Sequence, residues 1–465
     1  MVPLAGAADA SGYMNFARLL GEGRMTETVR IPEGAMFEEM PKSLFQPLGF
    51  MFRAEQGQLS PTYPIGLPLL LSLGDLHESE LLVRMVYAFS AIFSCIGIWF
   101  LGTELKLQQP WRFYSVAILA TSPLFLWSSL ILMSDLLAAC LAIWVLVLAK
   151  RSNGSRIAAL FCGLLVGGAV LTRPSNVLLF APVWVALWQD RASWDKWFSG
   201  IVGGIPALLL YLWSNGRLYG DLWQSGYGDL WSLFKAEYFL PTMRHYGRTL
   251  LYGLFALALP SALLEATRLR KGQVRLLLAW AIPFFGFYAF YFFTSQTWWF
   301  LRFILVALPA VILLSAAWFE SFARTRLSNQ AELRLLLTLT FLSVVAAVYW
   351  EGRLNILGEQ AFERRYAEEC AWAKQNLDSD TLVICMQPSG AFYYYTRFPI
   401  FRWDLAKEDS DWELLAEASA QSEVKVVAVL HEFEEERDDS ILKRYPSRWE
   451  LLGEVSERVR AYRMR

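Results

Sequence analysis

The sequence contains few of the residues that build metal centres and disulfide frameworks. Only 3 histidines and 5 cysteines occur among 465 residues, and they show neither a CxxC pair nor the clustering of a multi-histidine metal site. The sequence also lacks a P-loop, a dinucleotide-binding glycine fingerprint after a strand, and an HExxH motif. These absences argue against ATP hydrolysis and against a metal centre built on several histidines.

Charged residues are also scarce. They make up 18% of the chain, whereas 55% of the residues are hydrophobic and 15% are aromatic. A mean hydropathy of +0.33 is too apolar for a soluble chain of this size, and excludes a disordered, fibrous or nucleic-acid-coating protein. The 20 Trp, 19 Tyr and 32 Phe residues suit aromatic belts at membrane interfaces. The composition therefore predicts an α-helical polytopic membrane protein that contacts membrane lipids and no nucleic acid.

About ten apolar segments approach the roughly 20 residues needed to cross the hydrocarbon core of a membrane. They lie near residues 81–103, 113–128, 135–149, 157–172, 176–189, 197–213, 248–264, 275–294, 300–319 and 334–350. Proline and polar residues separate several of them by tight hairpins. We assign residues 81–350 to a transmembrane body of about ten helices.

Lysine and arginine residues predict the orientation, because cytoplasmic loops retain positive charge. Alternate loops carry a set of basic residues that fall on one side: Lys106, Arg112, Lys150, Arg151, Arg156, Arg191, Lys196, Arg268, Arg270, Lys271, Arg275, Arg324, Arg326 and Arg334. The opposite loops 129–134, 173–175 and 294–299 hold only Arg173. We expect these opposite loops to face outward, on the periplasmic side of the cytoplasmic (inner) membrane.

By the same parity, residues 1–80 form a first external loop with amphipathic helices over Tyr13–Leu20 and near Tyr63–Leu73. A signal for export is not apparent at the start of the sequence, so we expect a transmembrane helix upstream of Met1. From residue 351 the composition becomes charge-rich, and buried strands TLVICM and VKVVAVL alternate with helical segments, including FEEERDDSILKRY. Residues 351–465 therefore predict a small external α/β domain.

Two carboxylates are candidates for chemistry on the outer face. Asp9 lies at the head of the first external loop, and Asp135 begins a helix at its outer end. Charged groups at such positions are costly and often functional. A structural alternative exists for each: Asp9 as the N-cap of a helix starting at Ser11, and Asp135 as a charge that complements a helix dipole.

Two arginines are predicted on the same face. Arg173 occurs in LTRPSN and Arg302 in WWFLRFILVALP. Each could extend to the lipid headgroups from an apolar helix end. Together they could bind a phosphate, since guanidinium groups offer planar pairs of charge-assisted donors. Carboxylates and arginines on one outer face suggest a site for a phosphorylated, membrane-embedded substrate.

The loop before the predicted span 248–264 contains YGDLW twice, at Tyr219–Trp223 and Tyr227–Trp231. The repeat predicts two tight turns that lead into an interfacial amphipathic helix, anchored by Trp and Tyr at headgroup level. A sugar-binding platform is the alternative, because aromatic faces also stack on sugar rings.

Several motifs, in this order, resemble the bacterial family 39 type glycosyltransferases of the C superfamily, to which aminoarabinose and protein mannosyl transferases are related. The resemblance covers roughly residues 5–320 and rests on ADASGYMNFARLLGEG, SPTYPIGLPLLLSL, SDLLAACLAIW, LTRPSNVLLFAP, NGRLYGDLWQSGYG and LRFILVALPAVILL. Ala10 departs from the pattern, because many relatives carry a second acidic residue there.

The resemblance implies the roles of the candidate residues. Asp9 would be the general base or the carboxylate that orients the acceptor, and Asp135 a second acidic residue of the site. Arg302 and Arg173 would bind the phosphate of the donor. Tyr63 would line the substrate cavity, and we place Tyr13, Tyr219 and Tyr227 in the same cavity. No cofactor is assigned, although a divalent cation remains open.

The predicted function is transfer of a sugar, a hexose or a pentose, from a polyprenyl-phosphate carrier to a lipid, glycan or protein acceptor on the outer face of the membrane. The fold class is a glycosyltransferase C type membrane protein with a C-terminal α/β domain. A lipid or glycan transporter or flippase is the alternative from another class, although no internal repeat of the helical half is visible. A polymerase or ligase of lipid-linked glycans is the alternative enzyme.

Overall fold

The computed structural model describes residues 5–76, 79–254 and 256–465 of the chain. Most of these residues are helical. The helices are α1 (Ala8–Gly21), α2 (Ala35–Glu39), α3 (Gly66–Leu76), α4 (Glu80–Glu104), α5 (Gln109–Thr121), α6 (Pro123–Leu130), α7 (Asp135–Arg151), α8 (Arg156–Thr172), α9 (Phe180–Gln189), α10 (Trp194–Tyr219), α11 (Phe239–Gly253), α12 (Ala258–Ala266), α13 (Gly272–Ala289), α14 (Leu308–Arg326), α15 (Asn329–Leu354), α16 (Glu359–Asn376), α17 (Ser389–Tyr395), α18 (Asp409–Ser422), α19 (Glu432–Glu436) and α20 (Ile441–Arg444). The longest of these helices build a membrane body.

Within the described residues, four helical stretches are long and apolar enough to cross a membrane. They are Glu80–Glu104, Trp194–Tyr219, Trp298–Arg326 and Asn329–Asn376. In the last stretch the apolar part belongs to α15, whereas α16 is rich in charged residues. Helices α5 and α6 form a fifth span if they are counted together, with a bend of 55° between them. Pro123 begins α6 and explains the bend, since proline cannot donate a backbone hydrogen bond.

The helices largely follow the apolar segments of the sequence, but several segments are divided or begin as 3-10 helices, and two of these are near the candidate residues or divide a predicted span. The segment near 248–264 is divided, because α11 ends at Gly253 and α12 starts at Ala258. The segment near 300–319 begins as a 3-10 helix over Trp298–Ala307 before it continues as α14. This 3-10 stretch carries Arg302, so its geometry determines where that side chain points.

Glycine residues allow the backbones of α8 and α10 to approach each other closely. A Cβ added at Gly163 of α8 would overlap the backbone oxygen of Gly200 in α10, and one at Gly203 would overlap the oxygen of Leu160. Small residues let membrane helices approach closely and gain van der Waals contact. The pair α8 and α10 thereby brings the C-terminal end of α8, next to Arg173, beside Leu218 and Tyr219 at the end of α10.

The loop between α1 and α3 contains a small antiparallel sheet of order β1 (Glu27–Thr28), β3 (Gln58–Pro61) and β2 (Phe50–Arg53). The sequence gives little sign of these strands, because they are only two to four residues long. Arg53 donates to the oxygen of Leu218 at 2.7 Å, and Ser60 Oγ donates to the same oxygen at 2.7 Å. These bonds attach the loop to the end of α10.

The C-terminal part forms a five-stranded mixed sheet with helices, so the prediction of a small α/β unit in this region is confirmed. Its strand order is β5 (Ile400–Phe401), β4 (Leu382–Ile384), β6 (Val426–His431), β8 (Val459–Met464) and β7 (Trp449–Ser456). Strands β4, β5 and β6 are parallel, and β7 and β8 form an antiparallel hairpin. Cys370 and Cys385 are buried free thiols.

The single helix predicted over FEEERDDSILKRY is wrong. Two short helices, α19 and α20, occupy this stretch, and Arg437–Ser440 separates them. Arg437 closes the connection with a paired contact to the carboxylate of Asp439, at 2.8 and 2.9 Å. Asp and Ser bond to nearby backbone groups outside helices, so they favour such a break.

Candidate active site

Helix α1 carries the first candidate residue, Asp9. The helix begins at Ala8, three residues earlier than Ser11, so Asp9 lies within its first turn and Ala7 is the N-cap. The alternative interpretation of Asp9 as the N-cap of this helix is therefore wrong. Both faces of α1 are covered, and its residues from Ala10 to Ala17 are all buried. The carboxylate of Asp9 remains partly accessible, with 26% of the side chain exposed.

Asp9 lies between a tyrosine and an arginine from distant parts of the chain. Tyr63 Oη donates to Asp9 Oδ1 at 2.6 Å, and Arg302 Nη1 lies 2.7 Å from Asp9 Oδ2. Arg302 also contacts Met133 Sδ. Its Nε has no hydrogen-bond partner among the described residues although it is buried. The guanidinium group therefore retains one donor for a ligand.

The second acidic and basic candidates also pair with each other. Arg173 Nη1 bonds to Asp135 Oδ1, and Asp135 is 3% exposed. Tyr288 Oη donates to Ser175 Oγ at 2.8 Å and lies within 3.5 Å of Arg173 Nη2. Ser134 precedes α7 and supplies no capping bond to it. Asp135 lies in the first turn of this helix, where a carboxylate complements the helix dipole.

The two pairs face one aromatic ring. The guanidinium carbon of Arg302 lies 5.2 Å from the ring centre of Phe303, and that of Arg173 lies 5.5 Å from the same centre. These distances are in the cation–π range. Two positive groups are therefore held around one aromatic side chain, each neutralised by its own carboxylate.

Three of the predicted cavity tyrosines surround Asp9. Tyr13 Oη donates to Ser134 Oγ at 2.9 Å, and its ring lies 4.5 Å from that of Tyr63. The ring of Tyr227 meets Tyr63 edge-on at 6.1 Å. Tyr13 thus connects the Asp9 pair to the start of α7, and Tyr227 extends the aromatic wall.

Tyr219 has a structural contact instead. Its hydroxyl donates to the backbone oxygen of Pro61 at 2.9 Å, so it anchors the loop sheet rather than facing Asp9. It lines a small cavity of about 20 Å³ together with Tyr63 and Tyr227. The cavity has room for about one water molecule, and it adjoins the tyrosine wall of the site.

The two YGDLW turns are built by their aspartates. Asp221 Oδ1 accepts from Trp223 N at 2.7 Å, and Asp229 Oδ1 accepts from Trp231 N at 3.1 Å. The tryptophans are strongly exposed, at 73% and 80%. The turns lead through short 3-10 segments into α11, and the exposed indoles suit the headgroup region of a membrane.

Electrostatics keeps Asp9 ionised and Tyr63 protonated. Burial raises the pKa of Asp9, but the charge of Arg302 and the hydroxyl of Tyr63 outweigh it and hold the pKa below its ordinary value. Burial and the nearby Asp9 carboxylate raise the pKa of Tyr63 well above its ordinary value. Tyr63 is therefore a hydrogen-bond donor, and Asp9 is an acceptor that can take a proton.

The donor set at the site does not fit a divalent cation. Among the described residues no group of three or more His, Cys, Asp or Glu side chains is arranged to hold a metal ion. Asp9 and Asp135 are each paired with an arginine, whose positive charge opposes a second cation. Ala10, where many relatives carry a second acidic residue, is buried and offers no ligand.

The structure brings together Asp9, Arg302, Asp135, Arg173, Tyr13 and Tyr63, which the sequence offered as separate candidates. It also adds residues that the sequence did not single out: Ser134, Tyr288, Ser175 and Phe303. Ser134 and Phe303 adjoin predicted residues and could have been found as their neighbours. Tyr288 lies in an apolar span with several other aromatics, and no local signal distinguishes it.

Comparisons with known proteins agree with this architecture at the level of the fold. No family model matches the sequence, and no curated protein sequence matches it. The structure of ArnT from Cupriavidus metallidurans bound to undecaprenyl phosphate superposes with a TM-score of 0.53 and 14% identity, over 97% of this chain and 93% of that chain.

A second solved structure, the arabinofuranosyltransferase AftD from Mycobacteria, gives a TM-score of 0.53 at 13% identity. It covers 98% of this chain but 39% of that longer one. Both similarities extend over the membrane body and the C-terminal domain together. The chain therefore has the fold of the membrane glycosyltransferases of the C superfamily, as the order of its motifs predicts.

Proposed function

We propose that this protein is an integral membrane glycosyltransferase that moves a sugar from a polyprenyl-phosphate carrier to an acceptor hydroxyl on the outer face of the cytoplasmic membrane. The observation that carries the proposal is the Asp9–Arg302 pair beside the Asp135–Arg173 pair. A proton acceptor and two guanidinium groups thereby meet at one end of a helical body. The shared fold with ArnT, whose structure holds undecaprenyl phosphate, supports the choice of donor.

The donor phosphate would bind between Arg302 and Arg173. Guanidinium groups suit phosphate because their planar donors match its oxygens. Arg302 keeps a free Nε donor, and both guanidinium groups lie against Phe303. The apolar helices that surround this end of the body provide a path for the polyprenyl chain within the membrane.

Sugar transfer breaks the bond between the anomeric carbon and the phosphate oxygen, and the electron pair leaves with the phosphate. The acceptor oxygen forms the new glycosidic bond, and its proton passes to the Asp9 carboxylate. Arginines aimed at the leaving phosphate stabilise the charge that develops there. A positioned base contributes about a hundred- to ten-thousandfold in rate.

Donor binding would also strengthen Asp9 as a base. In the ligand-free arrangement, Arg302 holds the pKa of Asp9 low, which makes the carboxylate ionised but weakly basic. A phosphate that shares the Arg302 guanidinium reduces this effect. The carboxylate then gains basicity only when the donor is present.

Binding of undecaprenyl phosphate to the full-length protein in nanodiscs tests the donor site. We expect Arg302→Met and Arg173→Met to weaken binding by at least tenfold, in line with the value of about 1.5–3 kcal/mol for a hydrogen bond to a charged group. Arg24→Met is the matched control, because Arg24 is an exposed arginine that pairs with Glu22, away from the two arginines tested. Equal binding by all four proteins would contradict the phosphate site.

Transfer of sugar from undecaprenyl-phosphate donors to membrane acceptors tests the chemistry. Asp9→Asn removes the base and should abolish transfer, whereas Glu55→Gln changes an exposed acid of the same external loop and should not. Unchanged turnover in Asp9→Asn would refute the role of that carboxylate. Movement of the donor lipid across the bilayer without a new glycosidic bond would instead favour the transporter.

A further inference from the structure

Helix α1 lacks a capping side chain of its own. Its N-cap residue is Ala7, which offers no side-chain acceptor to the first turn. The first backbone N–H groups of a helix need partners from outside the helix. The C-terminal domain supplies one of them: Glu363 of α16 accepts a hydrogen bond from Ala7 N at 3.1 Å through Oε2.

The contact with Glu363 is close and leaves little space. A Cβ added at Gly6 would overlap the Glu363 carboxylate, so only glycine at that position permits the approach. Ala5 N donates to Tyr395 Oη at 3.0 Å, one residue before Gly6. The segment that leads into α1 is therefore bound to the C-terminal domain at two successive points.

The remaining length of α1 is also attached to that domain. Asn15 Nδ2 donates to the backbone oxygen of Gly390 at 2.9 Å, and Arg18 Nη1 donates to the oxygen of Tyr394 at 3.3 Å. A Cβ at Gly390 would overlap Ser11 Oγ. Helix α17 thus lies along α1, and Glu363 binds the backbone at the N-terminal end of α1.

We propose that Glu363 is a positioning residue for Asp9, and that the C-terminal domain thereby forms part of the active site. Asp9 follows the capped residue Ala7 by two positions, so the location of the cap determines the location of the carboxylate. The Asp9–Arg302 contact of 2.7 Å leaves little tolerance for a shift of α1. The proposal relies on the proposed function only in naming Asp9 as the reacting group.

The geometry requires an acceptor oxygen at this position. Burial raises the pKa of Glu363 to about 7, although the bond from the Ala7 N–H lowers it, and the carboxyl group offers an acceptor oxygen in both protonation states. Glutamine retains an acceptor oxygen of the same reach. Alanine removes the acceptor altogether, which makes the pair of substitutions informative.

Hydrogen exchange of the full-length protein tests the positioning directly and requires no substrate. We expect Glu363→Ala to raise amide exchange in peptides covering residues 5–16 by about two- to thirtyfold. This range is the free energy lost with a helix cap, converted at about 1.36 kcal/mol per tenfold change in rate. Glu363→Gln should stay close to the natural protein. Glu368→Gln is the matched control, because Glu368 is exposed on the same helix.

Turnover provides the second readout. We expect Glu363→Ala to lower kcat for sugar transfer by up to about a hundredfold, as a displaced catalytic group does, while undecaprenyl phosphate binding stays unchanged and Glu363→Gln restores turnover. If the amide exchange and the turnover of Glu363→Ala both match those of Glu368→Gln, the positioning role is overturned. If the natural protein transfers no sugar, the proposed function fails, and the exchange comparison still decides the positioning.

Discussion

A methyl group added at Gly12 would disturb the site through one defined contact. Gly12 lies on α1, and an added Cβ would overlap Cε2 of the Tyr63 ring and stand 2.6 Å from Cδ2. Ordinary contacts of a Cβ begin near 3.4 Å, so the ring must move by more than 1 Å to relieve the overlap at Cε2. Gly49 lies behind the same space, with its Cα 3.1 Å from the added atom, and it blocks an escape of the helix in that direction.

The expected effect on stability is small, because two terms oppose each other. Alanine is better than glycine in a helix by about 0.8–1.0 kcal/mol, whereas forcing an extra carbon into a packed region costs about 1–3 kcal/mol. The free energy of unfolding should therefore fall by at most about 2 kcal/mol. The Tyr63 hydroxyl, however, should lose its bond to Asp9, now 2.6 Å.

The effect on turnover should be larger. A hydrogen bond to a charged group is worth about 1.5–3 kcal/mol, which corresponds to roughly ten- to a hundred-and-fiftyfold in rate. We expect Gly12→Ala to lower kcat for sugar transfer by this factor. Tyr63→Phe should give a similar loss, since it removes the hydroxyl without moving the ring.

Gly168→Ala provides the control, because Gly168 is a helical glycine whose added Cβ would meet no atom within 4 Å. The measurements are kcat in nanodiscs and the thermal unfolding midpoint in detergent. A Gly12→Ala variant that turns over as fast as Gly168→Ala would refute the reasoning. A Gly12→Ala variant that fails to fold would instead show that the extra carbon costs more than about 3 kcal/mol. Tyr63→Phe would then test the hydrogen bond alone.

Three further predictions concern other parts of the molecule. Asp135→Asn should lower the stability by about 3–5 kcal/mol in thermal unfolding, because it leaves the buried Arg173 charge without its partner; the double variant with Arg173→Met should recover most of the loss. Burial lowers the pKa of His431, but Glu369 at 3.3 Å outweighs it and raises the pKa above the ordinary value. The stability from protonated His431 is therefore complete below about pH 6.5 and is lost as the pH rises through the raised pKa. The protection of β6 amides relative to their intrinsic exchange rates should therefore fall over that interval, and His431→Gln should abolish this fall. Gly163→Ala should separate α8 from α10 and lower the unfolding midpoint, at a cost of about 1–3 kcal/mol.

The sequence predicts the candidate residues better than their pairing. Asp9 and Arg302 each stand out as charges beside apolar helices, but nothing local indicates that they touch. Their contact depends on the 3-10 geometry of Trp298–Ala307 and on the early start of α1 at Ala8. Both features depend on tertiary packing, which a periodicity analysis does not include.

The C-terminal domain illustrates the same limit. Strands β4 and β6 are continuous buried runs, so their composition predicts them. The hairpin of β7 and β8 was not predicted because Glu450–Leu452 is exposed and lacks a clear alternation. The cap supplied by Glu363 is equally hidden, since the residues around the start of α1 give no sign of which distant side chain binds there.

The attachment of α1 to α16 and α17 has a consequence for biosynthesis. Asp9 leaves the ribosome before the membrane helices, whereas Glu363 and Gly390 emerge only after those helices have been made. Contacts between residues so far apart in the chain form late, because closing a long loop costs entropy. The membrane body can insert while α1 is still unattached, so a partly synthesised chain is present in the bilayer without an assembled site. The C-terminal α/β unit therefore determines when α1, which precedes it by the whole membrane body, becomes competent.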